Sequence, residues 1–486
     1  MTDPSSLGRH DSWEGVRAVV AGFGVSGFAC ADNLTHLGAQ VTALDESPRG
    51  KEEKAELLGV LGATIRMGEG ATATLPEDVD LVVTSPGWRP DAPLLAQARA
   101  RGIPVWGEVE LAWRLRDPHT PTPWLAVTGT NGKTTTVQML DAILRAAGLR
   151  SMPVGNVGLP IVEAVMDPEP YDVLAVELSS FQLHYTSSMA AESAAVLNVA
   201  EDHLDWYPSM AEYVADKGRI YQGVERACVY NVADPETERL VREADVVEGA
   251  RAIGVTLGMP DVGMLGVVED ILVDRAFIEE RETSAAELCT VGDLASPAPH
   301  FVQNALTAAA LARAHGVPQA AVRDGLRSFR PDGHRIALVA EADGVRWIDD
   351  SKATNPHAAQ SSLEAHDPVV WVAGGLAKGA HFEDLVAAVR ARLRGVVLLG
   401  RDRAVIRAAL SRHAPEVPVI EVEDGETGTD EGLMDRVVEA AADLARAGDT
   451  VLLAPGCASM DMFADYAARG DAFAAAVRRR TGRTEQ

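Results

Sequence analysis

The run Thr128-Gly-Thr-Asn-Gly-Lys-Thr134 constrains this chain more than any other stretch. It follows a short apolar segment, Trp124-Leu-Ala-Val127, and precedes a helical pattern that starts at about Thr135. A glycine-rich turn between strand and helix lets backbone N–H groups curl around phosphate oxygens, and the helix N-terminus adds partial positive charge. In that setting Lys133 can reach the β- and γ-phosphates, and the Thr134 hydroxyl can ligate Mg²⁺. The common phosphate loop has four residues between its glycines. This one has two, Thr130 and Asn131, and is a shortened variant.

A loop of this kind needs a parallel α/β sheet, and the chain supplies three such units in series. Its 486 residues fit about three domains at roughly 100–200 residues each. The first, expected over 1–120, opens with the strand Val16-Arg-Ala-Val-Val-Ala21 and continues through Gln40–Leu44 and Asp80–Thr84. Asp117–Pro123, rich in proline and polar residues, reads as a linker. The second unit, 121–331, continues from Trp124 through strands at Asp172–Glu177 and Ala194–Asn198. It turns β-like from about 250 to 295 and helical from about Asn304 to Ala314. A boundary near Arg330-Pro-Asp-Gly-His334 opens the third unit, 332–486, with strands at Val345–Ile348, Trp371–Ala373, Val396–Leu399 and Thr450–Ala454. The fold class expected is α/β. It comprises a Rossmann-like N-terminal domain, a central phosphate-loop ATPase domain with a mainly parallel sheet, and a Rossmann-like C-terminal domain.

Composition removes several classes of function. A net charge of −27 repels phosphate backbones, which argues against a nucleic-acid partner. A bound nucleotide has to be held by local donors and metal against that field. The four cysteines, Cys30, Cys228, Cys289 and Cys457, are scattered, so neither a disulfide framework nor a cysteine zinc site is expected. Met1 to Glu14 lacks the apolar stretch of a secretory signal, and no apolar run approaches the roughly 20 residues needed to span a bilayer. A cytoplasmic monomer with no membrane partner is the expectation.

Other motifs fall at strand ends. Gly22-x-Gly24-x-x-Gly27 follows a strand and opens a helix, and Asp45 ends the next strand; this fits NAD(P) or the pyrophosphate of a nucleotide sugar. Glu177 ends a strand on the sheet of the phosphate loop, where a carboxylate can hold Mg²⁺. Glu201-Asp-His-Leu-Asp205 follows the next strand and offers His203. Lys217 reads only as a charged helix residue. In the third unit, Asp349-Asp-Ser-Lys-Ala-Thr-Asn355, Gly374-Gly-Leu-Ala-Lys378 and Pro455-Gly-Cys-Ala-Ser459 each follow a strand, an arrangement suited to an anionic substrate.

Taken in order, the Thr128–Thr134 loop, Gly155-Asn-Val-Gly158, Glu177-Leu-Ser-Ser-Phe-Gln182, Asn198–Asp205, Asp350–Asn355, Lys378 and Cys457-Ala-Ser459 resemble the Mur ligase family, in its D-glutamate-adding branch. The resemblance runs from Gly22 to about Phe473. It implies an ATP- and Mg²⁺-dependent ligase, with two metal ions, that adds D-glutamate to UDP-N-acetylmuramoyl-L-alanine through an acyl phosphate in peptidoglycan precursor synthesis. Gly129, Thr130, Asn131, Gly132, Lys133, Thr134 and Thr135 match the ATP loop, with Asn304, Arg335, Asp350 and Lys352 as further nucleotide contacts. Thr134, Glu177, His203 and a carbamylated Lys217 match metal ligands; Lys133, Glu177, His203 and Lys217 match the catalytic set. Gly24, Ser26, Gly27, Asp45, Ser85, Asn156, Ser179 and Gln182 match the UDP-sugar side. Thr354, Lys378, Ser459 and Tyr466 match the D-glutamate pocket.

Four positions depart from the family pattern. Phe301 follows His300 where the family has asparagine, Asp349 replaces an asparagine, and Glu46-Ser47 replaces a uracil-side Thr-Arg, for which Arg49 or Arg89 could compensate. Three alternatives stay open: a folylpolyglutamate-type ligase, against which the Gly22 turn speaks; an NAD(P)-dependent oxidoreductase, which leaves the Thr128–Thr134 loop unexplained; and a non-catalytic nucleotide-binding regulator.

Overall fold

The structure, a computed structural model, describes residues 3–204, 206–331, 333–423 and 432–482. Asp205 of the carboxylate-rich loop and Asp332 at the expected second boundary lie outside the described residues. The chain forms two compact units, one of 1–199 with 209–329, the other of 200–208 with 330–486.

The first unit holds two sheets. In the first, β1 (Arg17–Ala21), β2 (Gln40–Asp45), β3 (Thr64–Met67), β4 (Leu81–Thr84) and β5 (Val105–Gly107) lie in the order β3-β2-β1-β4-β5, all parallel. Strand order reverses between β1 and β4, which opens a crevice at their carboxyl ends. The Gly22–Gly27 turn and Ser85 both sit there. The sequence signals missed β3, a partly exposed edge strand, and β5, only 3 residues long.

The second sheet has nine strands: β6 (Trp124–Thr128), β7 (Ser151–Gly155), β8 (Val173–Glu177), β9 (Ser193–Val196), β10 (Ala227–Asn231), β11 (Arg251–Val255), β12 (Met264–Val268), β13 (Ile271–Asp274) and β14 (Ala286–Thr290). Their order is β14-β13-β12-β11-β10-β9-β6-β8-β7. Pairing is parallel from β7 to β12 and antiparallel at β12–β13 and β13–β14, the stretch that reads as β-like in sequence. Strand β6 lies between β8 and β9, so the loop after it opens between the carboxyl ends of both neighbours.

The two sheets share an apolar core. Trp13, Leu34, Leu81 and Trp106 pack in one cluster with Trp124, Val154, Leu174 and Val176. The buried Glu110 carboxylate accepts hydrogen bonds from the backbone N–H groups of Ser187 (2.8 Å) and Ser188 (2.9 Å) and pairs with Arg114 at 2.8 Å. Arg116 stacks over Trp113, 3.1 Å from the ring centroid. Asp117–Pro123, expected to act as a linker, therefore joins two sheets already fastened by common packing. The other face of the nine-stranded sheet is covered by the helices Lys133–Ala146 and Pro299–His315, through Val137, Ile143, Ala305 and Leu306.

The second unit is built on β15 (Ala337–Ala342), β16 (Val345–Asp349), β17 (Val369–Gly374), β18 (Leu393–Leu399), β19 (Val419–Glu421) and β20 (Thr450–Leu453). The order is β15-β16-β20-β17-β18-β19, with β15 antiparallel to β16 and the rest parallel. Separate apolar clusters cover its two faces. Adjacency of β16, β20 and β17 gathers the three polar loops seen in sequence along one edge. No helix among the described residues is long and apolar enough to cross a membrane.

Glu108 is the most exposed to a pH test. Burial pushes its carboxyl up from 4.5 to about 7, against the Val162 N–H that donates to it at 3.2 Å. An acid with a raised value in the folded chain keeps its proton longer there than when unfolded. Folding therefore takes up a proton between 4.5 and about 7, and stability falls as pH rises through that window. Glu108→Gln should flatten this fall, so that its melting temperature relative to the parent rises between about pH 5 and about pH 8. Parallel melting curves for the two proteins would contradict the assignment.

Candidate functional site

The loop after β6 is fastened before any ligand arrives. Asn198, just past β9, holds it at three points: its carbonyl accepts the Thr130 N–H (3.0 Å), its Oδ1 accepts the Asn131 N–H (2.9 Å), and its Nδ2 donates to the Asn131 carbonyl (3.1 Å). Thr130 Oγ1 lies 3.0 Å from the Tyr213 hydroxyl. Gly132 has φ +85°, and a Cβ there would stand 2.5 Å from Asn304 Oδ1. Both the backbone sign and the space demand glycine. The helix Lys133–Ala146 then begins, and the first-turn N–H groups of a helix have no intrahelical acceptor.

Two ammonium groups converge on this loop. Lys133 Nζ donates to the carbonyls of Gly129 (2.9 Å) and Thr130 (3.0 Å). Lys217 Nζ donates to the same Gly129 carbonyl at 2.9 Å and lies 4.4 Å from the Tyr213 ring centroid. Lys217 is 2% exposed, far from the solvated helix residue that its sequence context suggests. Its helix, Met210–Gly218, turns it inward while Asp216 beside it takes His184 Nδ1 at 2.7 Å and Arg219 Nε at 2.9 Å.

Glu177 ends β8 on the other side of β6. Its Oε1 accepts from Asn156 Nδ2 at 2.7 Å, and its buried Oε2 has no hydrogen-bond partner among the described residues. A buried carboxylate oxygen with no donor fits a cation. These residues thus suit a metal–nucleotide, with Thr134 and Thr135 buried in the first helical turn and Thr134 available as a hydroxyl ligand. Among the described residues no three His, Cys, Asp or Glu side chains cluster as a metal site.

Several expected substrate contacts have structural duties. Asn156 spends its amide N–H on Glu177. Ser179 and Gln182 form a reciprocal cap on the short helix Ser180–His184. In the first sheet's crevice, Gly27 is needed because a Cβ would stand 1.9 Å from the Gly22 carbonyl oxygen, and Ser85 Oγ donates to that same oxygen at 3.3 Å. Gly24 precedes the helix Val25–His36, with Ser26 half-buried in its first turn. Burial opposes ionisation of Asp45, but Lys51 at 2.7 Å and the N–H groups of Ser47 and Phe23 hold its carboxyl below the usual range.

Two departures from the family pattern acquire physical reasons. Phe301 is core, its ring 6.1 Å from that of Phe329. Glu46 folds back onto its own chain, accepting from the Thr72 hydroxyl and from the N–H groups of Gly70 (2.8 Å) and Thr72 (3.0 Å), and these bonds lower its carboxyl value.

In the second unit, β16 delivers Asp349, Asp350 and Lys352. Burial pushes the Asp350 carboxyl up to about 6, partly offset by the Ser362 hydroxyl and then by Arg335. Lys352 Nζ lies 3.8 Å from the Tyr466 ring centroid, and Ser351 Oγ donates to the Tyr466 carbonyl at 2.7 Å. Leu376 and Ala458 exchange backbone hydrogen bonds of 2.9 and 3.0 Å, which sets the Lys378 and Ser459 loops side by side. Lys378 is exposed, Ser459 buried and Thr354 half-buried. Arg469, fully buried, ties the loops together through Ser351 Oγ (2.9 Å), the Ser351 carbonyl (2.8 Å) and the Cys457 carbonyl (3.0 Å). His203 also groups with this unit; its φ is +57°, and Asp202 Oδ1 accepts its N–H at 2.8 Å. Sequence reasoning gives neither Asn198 nor Arg469 a site role. Asn198 has a signal, since it ends the expected strand Ala194–Asn198 and opens the Asn198–Asp205 run of the family pattern; a buried arginine on a helix has none.

Residues 16–107 match the MurD-like N-terminal domain of Mur ligases, 127–312 the Mur ligase middle domain, and 334–457 the Mur ligase glutamate ligase domain. The chain is 62% identical to the UDP-N-acetylmuramoylalanine--D-glutamate ligase of Streptomyces avermitilis, over 96% of this chain and 99% of that one. This chain belongs to the Mur ligase family. The Streptomyces coelicolor protein of the same name is 60% identical over 96% of this chain and 98% of its own. Among solved Mur ligases, the UDP-N-acetylmuramate-alanine ligase of Thermotoga maritima has the same fold, with a TM-score of 0.55 at 19% identity, covering 96% of this chain and 100% of that one. Three Mur ligase domains therefore follow one another in the chain, the first two, apart from 200–208, within one compact unit.

Gly132→Ala isolates the loop. The added methyl meets Asn304 and the backbone sign is wrong for it, so ATP affinity should fall at least about ten-fold with a modest change in melting temperature. Titration calorimetry with a non-hydrolysable ATP analogue reads this; unchanged affinity would remove the loop from the nucleotide site.

Proposed function

We propose that this chain is an ATP-dependent ligase that joins D-glutamate to UDP-N-acetylmuramoyl-L-alanine, a step in building the peptidoglycan precursor. The observation that carries the reading is identity of 62% over nearly the whole length to a relative bearing that activity in its name. The Gly129 loop with its two lysine contacts, and on a neighbouring strand a buried Glu177 oxygen with no hydrogen-bond partner among the described residues, support its ATP half.

The chemistry follows from leaving groups. A carboxylate does not form an amide at neutral pH because oxide is a poor leaving group. Transfer of the γ-phosphoryl group of ATP to the substrate carboxylate releases ADP and creates an acyl phosphate. The D-glutamate amine then attacks the carbonyl carbon, phosphate departs, and the amine nitrogen loses a proton. Charge develops on the phosphoryl oxygens during transfer, so Lys133 and the loop N–H groups act as electrostatic clamps. Mg²⁺, in two ions, would neutralise that charge, held by Thr134, Glu177, His203 and Lys217 as its carbamate. Carbamylation, in which the Lys217 ammonium loses two protons and its nitrogen adds to CO2, turns it into an anion able to hold a cation. Gly129–Thr135, Asn304, Arg335, Asp350 and Lys352 serve the nucleotide. Gly24, Ser26, Gly27, Asp45, Ser85, Asn156, Ser179 and Gln182 serve the UDP-sugar. Thr354, Lys378, Ser459 and Tyr466 serve D-glutamate. The domain limits 1–120, 121–331 and 332–486, a monomeric state and a cytoplasmic location complete the reading.

ADP release should require UDP-N-acetylmuramoyl-L-alanine and D-glutamate together, and should fail with L-glutamate or meso-diaminopimelate. Turnover with only another amino acid would overturn the substrate assignment. Lys217→Ala should lose most turnover while keeping ATP affinity. Near-normal turnover would return Lys217 to a packing role.

A further inference from the structure

Asp349 stands where the family pattern has asparagine, and the structure gives it a partner. Its Oδ2 lies 2.6 Å from His334 Nδ1, and its Oδ1 accepts the Ser351 N–H at 2.9 Å. The far side of the imidazole, Nε2, is 3.5 Å from Asp471. Space for this pair is made by Gly470: a Cβ there would stand 2.1 Å from His334 Nδ1 and 2.8 Å from Asp349 Oδ2.

The backbone around His334 is held in an unfavourable form. His334 has φ +64° and Ile336 has φ +47°, both in the left-handed region that non-glycine residues rarely occupy. Between them lies Arg335, whose charge acts on the buried Asp350, while the Ile336 backbone N–H reaches the same carboxyl. The His334 carbonyl accepts the Lys352 N–H at 3.2 Å. Such a conformation persists only where its surroundings over-determine it.

We propose that Asp349 is a positioning residue which, through His334 and in the gap left by Gly470, fixes the 334–336 turn and so aims Arg335. This rests on the reading of Arg335 as a nucleotide contact. A carboxylate anchors an imidazole more strongly than an amide does, because the hydrogen bond is charge-assisted.

The test is a kinetic double-mutant cycle in the full chain, with His334→Ala, Asp349→Ala and the double variant, reading KM separately for ATP, UDP-N-acetylmuramoyl-L-alanine and D-glutamate. Each single variant should raise the KM for ATP about ten-fold, the size expected for a hydrogen bond to a charged group, and the double variant should be no worse than the poorer single one. Asp349→Asn should recover most of the loss, since its side-chain oxygen can still accept. Gly470→Ala should reproduce the ATP defect with Asp349 and His334 both present. Additive effects, or equal rises in all three KM values, would overturn the positioning role. Arg335→Ala separates the two levels. If it leaves the KM for ATP unchanged, the nucleotide reading of Arg335 and the inference fall together. If it raises that KM while the His334 and Asp349 variants do not, only the inference falls.

Discussion

The carbonyl oxygen of Gly129 receives two lysine ammonium groups, each at 2.9 Å, and the rest of the site is arranged around that crowding. The loop backbone that presents this carbonyl is held from other directions by Asn198 and Tyr213. In a protein of net charge −27 the Lys133 ammonium and the loop N–H groups make a local positive focus suited to phosphates, one that remains when Lys217 becomes a carbamate.

That focus keeps its place because the sheets beneath it do not move independently. Glu110, bonded to the backbone of Ser187 and Ser188, and the shared cluster around Trp106 and Trp124 make the first two Mur ligase domains one packed body. Glu177 and Lys217 are both drawn from this body. The second unit is organised differently: a neutral-oxygen cage around the Arg469 guanidinium gathers the ends of β16 and β20, and burial lowers that guanidinium to about 10.

Legibility in sequence followed how local the cause was. Strand-to-helix turns with glycine are visible in sequence, so the turn between β6 and its helix, the Gly22 turn and the polar loops of the last sheet stand at strand ends as expected. Buried strands such as β1, β6 and β20 announced themselves by apolar runs, whereas the partly exposed β3 and the short β5 and β19 did not. Lys217 shows the limit: its neighbours in sequence are polar, and only the packing of its helix against the loop buries it. Glu46 and Asp349 looked like losses against the family pattern. Each instead has a partner distant in sequence, Thr72 and His334, that no local pattern reveals.

The close approach of Asn304 to Gly132 has a consequence in time as well as space. The loop is made early in synthesis, but Asn198, Lys217 and finally Asn304 are added much later, the last on a helix beyond both antiparallel strands. A nascent chain halted before that helix has β6 and its glycines yet lacks the side chain that packs against the turn. The steric demand for glycine at residue 132 therefore arises only when the helix is made, whereas the demand of its positive φ is local and present from the start.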